Sequence, residues 1–304
     1  PAPPAPPPPP SSAFVADFGR EFQGGLRLSV PDGTSGTNVH ISCGESLKGD
    51  TVGSTWGWEF DWTLRDGQQV LEQHKYMECR FVSLTFSGPA PAGFALSAWK
   101  VHYPWFEDDS AFVSSNATLN AVWHLARYTV NAASLTTYSD SNTRERRPYE
   151  ADGVIAASAR LLVQRDVLWA RHSHAWVIQY PTWPVEWKQL TPFLGWQDYQ
   201  WTGQPDLALA FMSQMRDRSM IGYLENSTGL LRTDKMGRHI VDWMPDGRET
   251  DETVARHEFT ASNHMSVTNA FCMRGLEMLS EMAAAGGRQA NATQFSRAAS
   301  MLRA

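Results

Sequence analysis

From Ala13 to about Tyr103 the chain alternates short apolar runs with turn residues. Phe14-Val15-Ala16, Leu26-Arg27-Leu28-Ser29-Val30, Val39-His40-Ile41 and Phe81-Val82-Ser83-Leu84-Thr85-Phe86 lean to the period of two that sends successive side chains to opposite faces of a strand. Pro31-Asp32-Gly33, Arg65-Asp66-Gly67 and Ser87-Gly88-Pro89 separate them, because Gly and Pro impose backbone angles that a strand ladder does not hold. The texture predicts a β-sandwich of roughly 90 residues over 13–104.

Near Phe106 the period changes. Leu119, Val122, Trp123, Ala126, Val130 and Ala133 share one stripe of a helix, with Ser114, Ser115 and Asn116 available to cap it. Further helices are expected at 152–170, 190–202, 205–220, 263–285 and 289–303, the fifth of the series stopped by Gly286-Gly287. Alternating short and long connections suggest helical hairpins whose long loops gather at one mouth, where sites tend to lie. Ahead of all this, Pro1 to Pro10 is almost pure proline and alanine, which favours an extended polyproline II chain and cannot nucleate a core. The expected organisation is a disordered Pro-rich linker over 1–12, the sandwich over 13–104 and a helical domain over 105–304.

Composition sharpens this picture in one respect. Of 304 residues, 42% are hydrophobic and 19% charged, an ordinary globular balance, but 13 are tryptophan. Indole faces stack on sugar C–H surfaces as readily as they fill cores, which hints at a carbohydrate ligand. The net charge of -6 arises without a basic face, which argues against nucleic acid, and no apolar run is long enough to span a membrane. Cys43, Cys79 and Cys272 are too few for a disulfide framework, although the first two could form one bridge, and none pairs with His at zinc spacing, so no metal is expected. Three Asn-X-Thr patterns, at Asn116, Asn226 and Asn291, leave the compartment open.

The densest ionisable cluster lies between the first two helices, from Asp140 through Arg144, Glu145, Arg146, Arg147, Pro148, Tyr149 and Glu150 to Asp152. Pro148 disfavours helical geometry at Arg147, so the stretch reads as a loop entering a helix near Ala151. Taken by itself, such a charge run is either a solvated salt-bridge loop or a site where one carboxylic acid donates a proton while its neighbours hold polar substrate groups.

The same stretch, Asp140-Ser141-Asn142-Thr143-Arg144-Glu145-Arg146-Arg147-Pro148-Tyr149-Glu150-Ala151-Asp152, resembles the signature of glycoside hydrolase family 78, the α-L-rhamnosidases: Asp-Cys-Pro-X-Arg-Glu-Lys/Arg-X-Gly-Tyr/Trp-X-X-Asp. Asp17-Phe18-Gly19-Arg20-Glu21-Phe22-Gln23-Gly24 resembles the family's opening β-strand, Asp-Phe-Gly-Gln-Asn-X-X-Gly. Gly44-Glu45-Ser46-Leu47, Arg80-Phe81-Val82 and Asp242-Trp243 are further landmarks. The resemblance implies a β-sandwich followed by an (α/α)6 toroid of the six-hairpin type, and inverting hydrolysis of terminal α-L-rhamnose from glycosides or polysaccharides without a cofactor. It implies that Glu145 is the general acid, that Asp140 and Asp152 hold rhamnose hydroxyls, and that Arg144 joins their polar shell. Tyr149, and Trp243 with Asp242, are implied as substrate contacts, although Tyr149 could equally close the loop onto its own domain.

The sequence departs from the pattern at two points. Ser141-Asn142 stands where the family has Cys-Pro, and Pro148 where it has Gly. About six helices are legible where the whole toroid has twice that number, so the chain is expected to hold the first half of the catalytic domain. The general base, whose carboxylate lies roughly 6.5–9.5 Å from the acid in an inverting enzyme, is then expected beyond Ala304, and this portion alone to be inactive. Glu186 and Glu258 are poor substitutes for that base. Two other readings stay open: a sugar-binding or scaffold protein that has lost the chemistry, and a six-hairpin glycosidase for another sugar.

Overall fold

The computed structural model describes residues 12–53, 58–240 and 263–303. Residues 1–11, most of the Pro-rich segment, and Asp242, Trp243 and Glu258 lie outside the described residues. The described chain forms two compact units. One comprises the residues up to Pro104 together with Ser141–Arg146, and the other comprises Trp105–Asp140 with Arg147 onward.

The first unit is antiparallel β. Its strands are β1 (Ser12–Gly33), β2 (Asn38–Gly44), β3 (Ser46–Lys48), β4 (Thr51–Gly53), β5 (Glu59–Thr63), β6 (Gly67–Phe86) and β7 (Ala95–Lys100). Five of them make a sheet in the order β5-β2-β6-β1-β7, and β3 pairs with β4 as a small ribbon. The alternation read from the sequence has its physical counterpart in the core, where Leu26, Leu28, Val30, Val39, Ile41, Val82, Leu84 and Phe86 are buried together. Burial of this kind contributes about 25 cal/mol per Å² of apolar surface.

The two landmarks at Asp17 and Arg80 meet in a two-pronged ion pair, with Nε and Nη2 of Arg80 each 2.8 Å from a carboxylate oxygen. That guanidinium and the Gly19 amide hold the Asp17 carboxyl down to about 2. Gly24 is glycine for lack of room: its φ is 155° and a Cβ there would lie 1.8 Å from the Trp99 carbonyl oxygen on β7. Cys43 and Cys79 are buried free thiols in mutual hydrogen-bond contact, which together with burial raises the Cys79 thiol.

The second unit is helical: α1 (Ala117–Ala132), α2 (Glu150–Val163), α3 (Leu168–Gln179), α4 (Val185–Lys188), α5 (Thr191–Thr202), α6 (Asp206–Ala210), α7 (Met212–Arg218), α8 (Ser266–Ala285) and α9 (Gln289–Arg303). Asn116 caps α1 by accepting from the Leu119 amide at 3.1 Å, and α8 stops at Gly286, with Gly287 in the left-handed region. Two expected helices are each divided. The stretch expected at 152–170 ends at Val163, because Gln164 turns to extended geometry and its buried side chain bonds the Phe106 amide and carbonyl. A separate helix then starts at Leu168, whose amide is capped by Asp166 at 2.9 Å, and continues to Gln179, where no helix is expected from the sequence. The 205–220 stretch breaks at Phe211.

The core of this unit joins α3, α5, α8 and α9 through Val177, Ile178, Leu194, Leu276, Leu279 and Phe295. Arg171 of α3 grips the buried Asp198 of α5 with two 2.8 Å hydrogen bonds, the strong bidentate form of this pair. The stripe read on α1 is a real helical face, yet Leu119 and Val122 remain exposed.

Candidate functional site

The segment before the signature is anchored in the helical unit by aromatic packing. The Trp169 indole donates to the Leu135 carbonyl at 3.1 Å, Tyr138 stands edge-on to Trp169 at 4.4 Å, and the buried Arg160 lies over Trp105 and Trp169. His174, beside Tyr138, is pushed down to about 3 by complete burial, which makes it a neutral core residue and not an acid–base group. Asp140 follows, and its amide donates to the Arg147 carbonyl at 3.0 Å. That bond closes the neck of a six-residue excursion, Ser141–Arg146, which belongs to the β unit.

Within the excursion the backbone makes a tight turn. The Ser141 hydroxyl accepts from the Glu145 amide at 3.3 Å, and the Ser141 carbonyl accepts from the Arg146 amide at 3.2 Å. The Glu145 side chain is 28% exposed and pairs with Arg144 at 3.1 Å, whose own side chain is mostly in solvent. Arg146 adopts φ +54°, a left-handed geometry that costs a non-glycine residue about 1–2 kcal/mol. Its guanidinium lies 4.5 Å from the Tyr76 ring centre and 5.0 Å from that of Trp58, and Nη2 donates to the Tyr76 carbonyl at 3.0 Å.

Asn142 is buried and hydrogen-bonds Glu78 of β6. Burial, with the like charges of Glu21 and Glu45 nearby, pushes the Glu78 carboxyl up to about 8 against the opposing pull of Asn142 and Arg146. A folded-state value above the unfolded one means that the folded chain holds the extra proton, so this contribution is present at low pH and lost as pH rises from about 4.5 to 8. Glu78→Gln should flatten that slope, removing on the order of 1–2 kcal/mol of the stability difference between pH 5 and 9 once solvent screening is allowed for. Thermal melts of both proteins across that range check it, and parallel slopes would count against it.

The remaining signature residues stand in the helical unit. Tyr149 occupies the N-cap position of α2 in extended geometry, half-buried and edge-on to Trp187 at 5.1 Å. Asp152 lies in the first turn of α2, where the helix dipole favours a carboxylate.

Between them Glu150, to which the resemblance assigns no role, is fully buried. It accepts from the Thr182 amide at 3.0 Å and from the Thr182 hydroxyl, and burial raises its carboxyl despite those bonds and Arg218. Its partner Thr182 lies 32 residues away, so only the position inside the signature could have drawn attention to it. Glu186 is buried as well, accepting from His239 Nδ1, the Ile240 amide and the Thr268 hydroxyl. A cavity of about 310 Å³ bordered by Met212, Arg216, Arg288 and Asn291 contains no signature residue. Among the described residues no cluster has the makings of a metal site, and no helix is long and apolar enough to cross a membrane.

The sequence of residues 107–304 matches the family model described as the bacterial alpha-L-rhamnosidase six-hairpin glycosidase domain. The chain belongs to that family. Solved rhamnosidases share its fold. The family 78 rhamnosidase of Bacillus sp. GL1 superposes with a TM-score of 0.77 at 19% identity, covering 96% of this chain and 31% of its own. The α-L-rhamnosidase of Streptomyces avermitilis, complexed with L-rhamnose, gives 0.71 at 18%, covering 96% and 29%. The rhamnosidase of Klebsiella oxytoca with rhamnose bound gives 0.70 at 13%, covering 97% and 61%. The present chain thus spans between 29% and 61% of these relatives' lengths. No curated protein matches it by sequence. An antiparallel β region followed by helices is therefore the rhamnosidase arrangement, as the resemblance implied.

Proposed function

We propose that the full-length protein hydrolyses terminal α-L-rhamnose from glycosides or polysaccharides with inversion at the anomeric carbon. The observation that carries this reading is the family match over 107–304, with Asp140, Glu145 and Asp152 in register with the signature inside it. Glu145 protonates the departing glycosidic oxygen while a water, activated by a carboxylate elsewhere in the full-length protein, attacks the opposite face of the sugar. Asp140 and Asp152 accept hydrogen bonds from rhamnose hydroxyls, Arg144 completes that polar shell, and Tyr149 packs on the sugar ring. Asp242 and Trp243 add substrate contacts. The helices form part of an (α/α)6 toroid that follows a β-sandwich in the chain.

The departures at 141 and 142 support an intact site over a decayed one. The Ser141 hydroxyl supports the Glu145 amide, and the Asn142 side chain holds Glu78. Both substituted residues thus have structural roles in the turn. The test is incubation of the full-length protein with an aryl α-L-rhamnoside, following the first-formed sugar by NMR. Release of β-L-rhamnose is the expected result. Turnover of a different aryl glycoside with the rhamnoside untouched would reassign the substrate, and binding of rhamnose with no turnover of any glycoside would make the protein a lectin-like scaffold.

A further inference from the structure

None of the roles proposed above uses Arg146, yet its geometry needs an explanation. At φ +54° the backbone would be served better by glycine, which enters the left-handed region without penalty. Arginine at such a position points to a task for the side chain. The guanidinium lies over Tyr76 and Trp58 and donates to the Tyr76 carbonyl, combining a cation–π seat with a directed hydrogen bond. Trp58 is 5% exposed, so the seat is a fixed part of the β unit's core, backed by Lys75 over the same ring at 4.8 Å. At the other end of the turn Asn142 is tied to Glu78. Glu145 lies between these two tethers, and its own amide and that of Arg146 both close on Ser141.

We propose that Arg146 is the positioning residue for the general acid: its seat on Tyr76 and Trp58 fixes the turn that carries Glu145. The proposal rests on the reading of Glu145 as the acid. A general acid works only within hydrogen-bond reach of the leaving oxygen, so loss of the seat lets the carboxyl wander without disturbing the sugar-holding aspartates.

Arg146→Gly and Arg146→Lys in the full-length protein test this: the first permits the same left-handed backbone without the side chain, and the second keeps a cation on a non-glycine backbone. Two α-L-rhamnosides are compared, an alkyl one that needs leaving-group protonation and a 2,4-dinitrophenyl one that does not. Arg146→Gly should lower kcat on the alkyl rhamnoside by roughly tenfold to a hundredfold, with kcat on the dinitrophenyl rhamnoside within about threefold and KM little changed. Arg146→Lys, which retains a cation and a donor, should recover most of the loss. Equal losses on both substrates, or no loss, overturn the proposal.

A second measurement is independent of activity. Hydrogen exchange at the Glu145 and Arg146 amides should quicken by about tenfold in Arg146→Gly, and unchanged exchange overturns the proposal as well. If the wild-type protein turns over neither rhamnoside, the functional reading falls and the exchange result alone decides whether Arg146 orders the turn.

Discussion

Glu145→Gln in the full-length protein should lower kcat on unactivated rhamnosides by about 10²–10⁴-fold, the range lost when a positioned general acid is removed. The amide occupies the same volume but carries no acidic proton, so the leaving oxygen departs unassisted. Folding should survive, because the side chain is partly solvated and its pairing with Arg144 is largely exposed, a kind of contact worth about 0–1 kcal/mol. A variant that keeps wild-type turnover would assign the proton to another group.

Glu186→Ala should destabilise the helical unit by about 3–5 kcal/mol. The carboxylate is 2% exposed and receives His239 Nδ1 at 2.5 Å, the Ile240 amide at 3.1 Å and the Thr268 hydroxyl at 3.2 Å. Removing it orphans three buried donors at once, and each is too deep for water to replace the lost acceptor. The other ring nitrogen of His239 sits 3.1 Å from the Thr233 carbonyl, so the imidazole cannot simply turn to a new partner. In calorimetry the loss should appear as a drop in Tm on the order of 10 °C for a unit of this size. A drop equivalent to less than about 1 kcal/mol would mean that the pocket relaxes or admits solvent. The same geometry bears on function: a carboxylate committed to three internal donors is a structural staple, and a poor stand-in for the base of an inverting glycosidase.

Much of this protein was legible wherever a feature depends on neighbours a few residues away. The cap at Asn116, the stop at Gly286-Gly287, the break that Pro148 imposes and the period-two core of β1, β2 and β6 are all local consequences of backbone and side-chain chemistry, and the structure contains each of them. The acid signature was legible for a different reason, because its spacing matches a known family.

Tertiary structure decided what distant partners decide. The helix expected at 152–170 ends at Val163 because Gln164 bonds Phe106, 58 residues earlier, and no helical periodicity encodes that competition. Arg146 looks like one more charge in a polar run until Tyr76, 70 residues away, gives it a seat. Nothing in the local sequence encodes the burial of Glu150 and Glu186: Thr182 closes over the first from 32 residues away, and His239 and Thr268 over the second from 53 and 82. Local sequence specifies which backbone conformations are cheap, whereas burial and long-range hydrogen bonding determine which charged side chains stay in water and which become part of the frame.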